Sequence, residues 1–335
     1  MGSEKALLIL GIREVNLPKD RPLTYSDLEP IDLVLMKKSS GEAICNQLHK
    51  TSKLTGSPSK IISDNGPDLK SGIDLFCNSQ ANTTHIYDMT HFIANQFKKI
   101  LDKDPSWQSF INFASIAQTH MRQTSIAALA PPKQRSKSRY MNVDILVNWA
   151  IKILPILDSD NKHFSKELIN NKLGWIKEFK DDILKYSRMI KASSCISNYI
   201  KHNGIHFGMY DQLQVKIFKL QYCQESLNFT SQLMDQVRNL ELKLRIGERS
   251  LGVSDIIESV FGRFKNMEQQ QSGSGFTQLL LALPAIIGEN CSNTIKQAMM
   301  SVKNKDIKQW FEENIGDSVQ KLRTIVLGKS KHANI

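Results

Sequence analysis

The sequence predicts a mixed α/β fold interrupted by a large all-helical block. Three observations carry this reading. The first hundred residues alternate short aliphatic runs with amphipathic segments, in the order β-β-α-β-α-β-α. Strand-like alternation nearly disappears between about residues 105 and 247. Helical periodicity resumes after residue 248, opening on acidic residues. The chain therefore divides at 1–104, 105–247 and 248–328. The β-α-β order predicts parallel pairing in an α/β sheet.

The elements follow in order. KALLILGIREV (5–15) is a short apolar run, better suited to a buried strand than to a helix. Residues 16–30 hold Pro18, Pro22 and Pro30 and read as turns. IDLVLM (31–36) is a second strand. Ser40 opens a helix with Ile44, Leu48 and Leu54 on one face and a stop at Gly56. KIIS (60–63) is a third strand, ending in the turn DNGPD. A helical segment follows over Leu69–Phe76, then THIYDM (84–89) as a fourth strand and HFIANQFKKIL as a helix. In the helical block the candidates are 107–128, 143–156, 164–200 and 209–246, the last capped by Gly247. A helix follows Ser254, then the low-complexity linker QQQSGSGF (269–276), then more helix to about 325.

Composition sets the outer limits. Of 335 residues, 41% are hydrophobic and 23% charged, which excludes a disordered or fibrous chain. No apolar run approaches about 20 residues, so no membrane-spanning helix is expected. The N-terminus reads neither as a signal peptide nor as a myristoylation site, and a cytoplasmic protein is expected. The five cysteines are scattered and form no CxxC pair, which argues against a disulfide framework or thiolate zinc. Lys and Arg outnumber Asp and Glu by 44 to 33, a net charge of +11 whose field attracts polyanions.

Three acidic motifs stand out. In IISDNGPDL (61–69), Asp64 sits at the C-terminal end of a strand, where an acid can project into a crevice. The same residues are also good turn formers in their own right. Asp88 and His91 end the next strand, where Asp88 or Thr90 equally suits a helix N-cap. In GVSDIIESVFGRFK (252–265), Ile256, Ile257, Val260 and Phe264 form an apolar stripe. Glu258 lies off that stripe beside Gly262, either as a solvated surface acid or as a ligand with open space beside it. Read together, carboxylates on separate elements of a basic chain suit two-metal phosphoryl transfer. In that chemistry, Mg²⁺ is held by one or two carboxylates plus phosphate oxygens and water.

These motifs resemble those of DDE transposases of bacterial insertion sequences, which have a ribonuclease H-like, integrase-like core. SDNG (63–66) resembles the motif around the second catalytic Asp. Asp88-x-x-His91 resembles the C/D-x-x-H motif, and ESVFGRFK (258–265) the helix bearing the catalytic Glu. KALLILGIRE (5–14), YDMTHFIANQFKK (87–99) and LAPPKQRSKSRYMNVDILVNWA (129–150) share the family character, so the resemblance covers most of the chain. It implies a ribonuclease H-like core interrupted by a helical insertion. Asp64 and Glu258 would be catalytic and would hold Mg²⁺ or Mn²⁺, with Asp88 and His91 ordering the site. The partners implied are transposon-end and target double-stranded DNA, bound by a homo-oligomer with no membrane involved, in the cytoplasm at the nucleoid. The family's first catalytic Asp belongs to a strand that would lie ahead of Met1. Asp20, Asp27 and Asp32 are poor substitutes for it, so the resemblance implies an N-terminally truncated, catalytically impaired chain.

Basic residues supply the remaining expectations. Lys133, Arg135, Lys137 and Arg139 alternate in PPKQRSKSRY (131–140), and in an extended loop they would track phosphates from one side. Arg263 and Lys265 on the Glu258 helix are further candidates for DNA contact. Two other readings stand beside the transposase: a non-catalytic DNA-binding remnant, and an unrelated helical interaction protein.

Overall fold

The computed structural model describes residues 5–13, 17–36, 38–134, 140, 142–159, 164–220, 222–270, 278–287, 291–314 and 324–326. The chain forms two compact units. One holds Met1–His85 and Ser254–Ile335, and the other holds Ile86–Val253.

In the first unit, β1 (Lys5–Gly11) pairs antiparallel with β2 (Glu29–Met36), with Leu8 opposite Leu33. The register shifts between Ile9 and Leu10, and Pro30 lies opposite Leu10 near the start of β2, where a residue without an N–H is tolerated. The connection contains a 3₁₀ turn, Tyr25–Asp27, closed by Arg21, whose Nη1 and Nη2 donate to Asp27 at 2.7 and 2.8 Å. Those bonds hold the Asp27 carboxyl far below the usual range.

Alternation places the side chains. Leu8, Leu10, Leu33 and Leu35 pack on a buried cluster of Leu28, Val260, Leu280, Leu283 and Ile287. Asp32, one residue out of phase with Leu33 and Leu35, turns to the opposite face. There it accepts from Gln47 Nε2 and Thr51 Oγ1 of α1 (Gly41–Thr55), both at 2.8 Å. The hairpin therefore has helical structure on both faces.

α1 lies against α2 (Pro67–Ser79) with little space between. A Cβ on Gly72 would meet Ile44 Cβ at 2.6 Å and the Gly41 carbonyl at 2.7 Å, so only glycine fits there. β3 (Lys60–Ser63) and β4 (Thr84–Tyr87) flank α2 and pair with each other. After α10 (Asp255–Gln269) come two 3₁₀ turns, then α11 (Ser292–Ser301) and α12 (Asn304–Asn314).

The second unit is helical. It contains α3 (Met89–Leu101), α4 (Pro105–Met121), α5 (Val143–Asp158), α6 (Lys166–Leu173), α7 (Lys180–Asn203), α8 (Met209–Phe218) and α9 (Gln224–Glu241). Trp107 and Tyr186 meet edge to face at 5.1 Å, and Phe97 meets Phe229 at 4.7 Å. β5 (Ile205–His206) and β6 (Arg249–Ser250) form a small antiparallel pair. Gly204, at φ 67°, makes it possible, because a Cβ there would lie 2.5 Å from the Ser250 carbonyl.

Several sequence expectations are corrected. Among the described residues the strands form three two-stranded sheets rather than one parallel sheet. β1 and β2 pair antiparallel, and among the described residues their connection holds a 3₁₀ turn and bends rather than a crossover α-helix. The single helix expected at 209–246 is two, α8 and α9. Ser226 Oγ accepts from Cys223 N at 2.9 Å and starts the second helix afresh. The helix expected at 164–200 is likewise divided by a 3₁₀ segment, Gly174–Phe179. A ribonuclease H-like core is not among the features these strands establish; the mixed α/β class is.

Candidate functional site

β3 delivers Asp64 to a corner between strand and helix. Gly66 is the N-cap of α2 and Pro67 follows at its first position, where a missing N–H costs nothing. Asn65 takes a left-handed φ of 57°, the turn chemistry its sequence implies. Asp64 Oδ1 accepts from Gly66 N at 3.0 Å and closes the turn. Its Oδ2 accepts no hydrogen bond among the described residues, and the side chain is exposed. Asn65 Oδ1 is buried without a hydrogen-bond partner among those residues. Two oxygen acceptors with unused capacity thus occupy adjacent positions of one turn.

α10 carries Glu258 in the same unit. Val260 is wholly buried in the cluster beneath the hairpin, with Ile256 and Phe264 packed against it. Glu258 is turned away from that stripe and exposed. Nothing lies within 4 Å of a Cβ placed on Gly262, so the helix surface one turn beyond Glu258 is open. Ser259 Oγ lies 2.6 Å from Tyr25 Oη, and the Arg263 guanidinium sits 4.3 Å above the Tyr25 ring. Lys265 is exposed.

Asp88 and His91 belong to the second unit. Asp88 is fully buried and caps α3, its Oδ1 accepting from His91 N at 3.0 Å. The backbone of Met89 donates to the Gly252 carbonyl at 2.9 Å. The Asp-x-x-His spacing is the spacing of an N-cap and its third helical residue. In the basic segment, Lys133 is exposed, while Arg135, Lys137 and Arg139 lie outside the described residues. Tyr140 Oη donates to Asp102 Oδ1.

Sequence reading missed a polar chain next to Asp64. Ser63 Oγ lies 2.9 Å from His85 Nε2, and His85 Nδ1 lies 3.0 Å from Asp74 Oδ1. The residues come from β3, β4 and α2, and no local spacing links them. A second network in the helical unit joins Asp104, Lys185, Asp182, Tyr186 and Ser106.

For a divalent cation, the donor set of this corner is suitable in kind. Asp64 Oδ2 and the Asn65 amide oxygen are hard oxygen donors of the sort Mg²⁺ and Mn²⁺ accept, and Glu258, on α10 of the same unit, is a donor of the same kind. Among the described residues no group of three His, Cys, Asp or Glu side chains is gathered around one point. No family model matches the chain, and no curated protein matches it.

Proposed function

We propose that this chain is the catalytic region of a DDE-type transposase that cleaves and joins DNA phosphodiesters with Mg²⁺ or Mn²⁺. The observation that carries the reading is the Asp64 corner: an exposed carboxylate with an open oxygen, at a strand–turn–helix junction of a strongly basic chain. Glu258, on an exposed helix face beside the open flank of Gly262, is the second ligand. When bound, the metal supplies activation of the attacking hydroxyl and neutralises charge on the leaving oxygen. Asp64 and Glu258 would hold it, and Arg263, Lys265 and the 133–139 segment would hold the DNA backbone. Joining two DNA ends requires more than one copy of the chain on the DNA.

A second reading is a non-catalytic DNA-binding protein. Two local facts favour it: Asp64 closes its own turn, and Asp88 caps its own helix. Both acids therefore have a structural use without any metal.

The test is incubation of the full chain with supercoiled plasmid and Mn²⁺. Catalysis predicts nicking that disappears in Asp64→Asn and Glu258→Gln while DNA binding persists. Binding without nicking in the unaltered chain selects the second reading. Absence of DNA binding overturns both.

A further inference from the structure

The Ser63–His85–Asp74 chain engages both ring nitrogens of His85. An ionised Asp74 only accepts, so His85 Nδ1 carries the proton and donates to it. Nε2, the other ring nitrogen, lies 2.9 Å from Ser63 Oγ, within hydrogen-bond reach of that hydroxyl. Ser63 Oγ in turn accepts from the backbone N–H of Asn65 at 3.4 Å. Asn65 is the left-handed residue of the turn that aims Asp64. One line of hydrogen bonds therefore runs from α2, through β4, into the backbone of the Asp64 turn.

The same three side chains have the connectivity of a serine nucleophile with its base. The surrounding amides argue against that use. The Asn65 N–H is directed to Ser63 Oγ itself, the Gly66 N–H to Asp64 Oδ1, and Pro67 has none. The amides that would stabilise an oxyanion at this corner are already committed. Each of these bonds instead shapes the turn.

We infer that His85 is the positioning residue of the Asp64 turn, holding it in the conformation that presents the Asp64 carboxylate to a divalent cation. The inference rests on the metal-binding reading of Asp64. Partners that orient a ligand from outside its coordination sphere are worth about 10–100-fold in metal affinity. Only 11% of the His85 side chain is exposed, and Ser63 and Asp74 each engage one of its ring nitrogens. Asp74 is half exposed, which makes it the place to break the chain without opening the core.

The experiment is Mn²⁺ titration of the full chain, with free Mn²⁺ read by electron paramagnetic resonance. Expected are loss of binding in Asp64→Asn and weakening by about 10-fold or more in His85→Ala and Asp74→Ala. Asp74→Asn keeps a carbonyl acceptor for His85 Nδ1 and is expected to bind like the unaltered chain. That rescue separates positioning from a general loss of structure, and thermal melting of each variant checks folding. If His85→Ala fails to fold, the Asp74 pair still decides. Unchanged affinity in His85→Ala and Asp74→Ala, with binding lost in Asp64→Asn, overturns the positioning role and leaves the metal reading standing. Equal weakening in Asp74→Asn and Asp74→Ala overturns the hydrogen-bond route. Unchanged binding in Asp64→Asn, or none in the unaltered chain, overturns the metal reading and this inference with it.

Discussion

The hydroxyl of Tyr186, on α7, donates to Asp104 Oδ2 at 2.8 Å, while the other oxygen of Asp104 caps α4 through the amides of Ser106 and Trp107. Lys185 Nζ reaches the same carboxylate at 3.1 Å and Asp182 at 2.8 Å. One carboxylate thus starts a helix and fastens it to the longest helix of its unit. Tyr186→Phe removes one donor and leaves the ring in place. The expected cost is about 1–2 kcal/mol by urea denaturation. Asp104→Ala removes the cap and the Tyr186 acceptor while Lys185 keeps Asp182, and is expected to cost about 2–3 kcal/mol.

Acid stability follows from the same network. Burial alone would raise the Asp104 pKa; the bonds from Tyr186 and Lys185 outweigh it, and the net direction is down. A lowered carboxylate contributes stability above its unfolded pKa and loses it as pH falls through the folded value. The loss therefore begins below about pH 4. Tyr186→Phe weakens the downward pull, so its acid unfolding midpoint, followed by near-ultraviolet circular dichroism, should move to higher pH. A midpoint that stays fixed or falls would contradict this.

Two helical glycines should respond to alanine with opposite signs. At Gly72 a Cβ meets the Ile44 side chain and the Gly41 backbone below 3 Å, and α1 and α2 must part. Gly72→Ala is expected to destabilise by about 1–3 kcal/mol. At Gly262 nothing lies within 4 Å. Gly262→Ala is expected to stabilise by about 0.5–1 kcal/mol, the helix propensity gain alone. Thermal melts of the two variants make the comparison.

The acids and turns were legible because their information is local. DNGP names its own turn, and the alternation of Leu8, Leu10, Leu33 and Leu35 names the buried face of the hairpin. Sheet pairing was not legible, because it depends on which strands meet and not on any one strand's pattern. β5 and β6, two residues each, are too short to show alternation at all. The break between α8 and α9 escaped because Leu220 and Leu227 keep the helical phase across it, while the Cys223–Ser226 cap that makes it is a side-chain geometry. The Ser63–His85–Asp74 chain was hidden for the same reason as the sheets: its three members meet only once β3 and β4 pair.

If the 133–139 segment tracks phosphates, salt dependence will report it. Each phosphate neutralised by a side-chain cation adds about 0.9 to the steepness of log K against log salt. Replacing Lys133, Arg135, Lys137 and Arg139 together with Ala should therefore flatten the slope by up to about 3.6, uniformly across DNA sequences. A slope unchanged in a chain that still binds DNA removes the segment from the interface.

Arg263 and Lys265 allow a sharper separation on a single helix. Arg263 lies over the Tyr25 ring, and Tyr25 is itself tied to Ser259, so Arg263 has a structural use whether or not DNA is present. Lys265 is exposed two residues further along α10. Removing the cation–π pair in Arg263→Ala should cost about 0.5–1 kcal/mol of stability. Lys265→Ala should cost none that denaturation can resolve. For DNA the order should reverse: Lys265, a mobile point charge, is the freer of the two to follow a phosphate. Lys265→Ala is then expected to reduce the salt slope by about 0.9, and Arg263→Ala by less. Filter binding across a salt series, set beside urea denaturation of the same two variants, gives both quantities. A larger slope change at Arg263 than at Lys265 would mean that Arg263 leaves Tyr25 to bind DNA, and the stacked arrangement would then be a resting position.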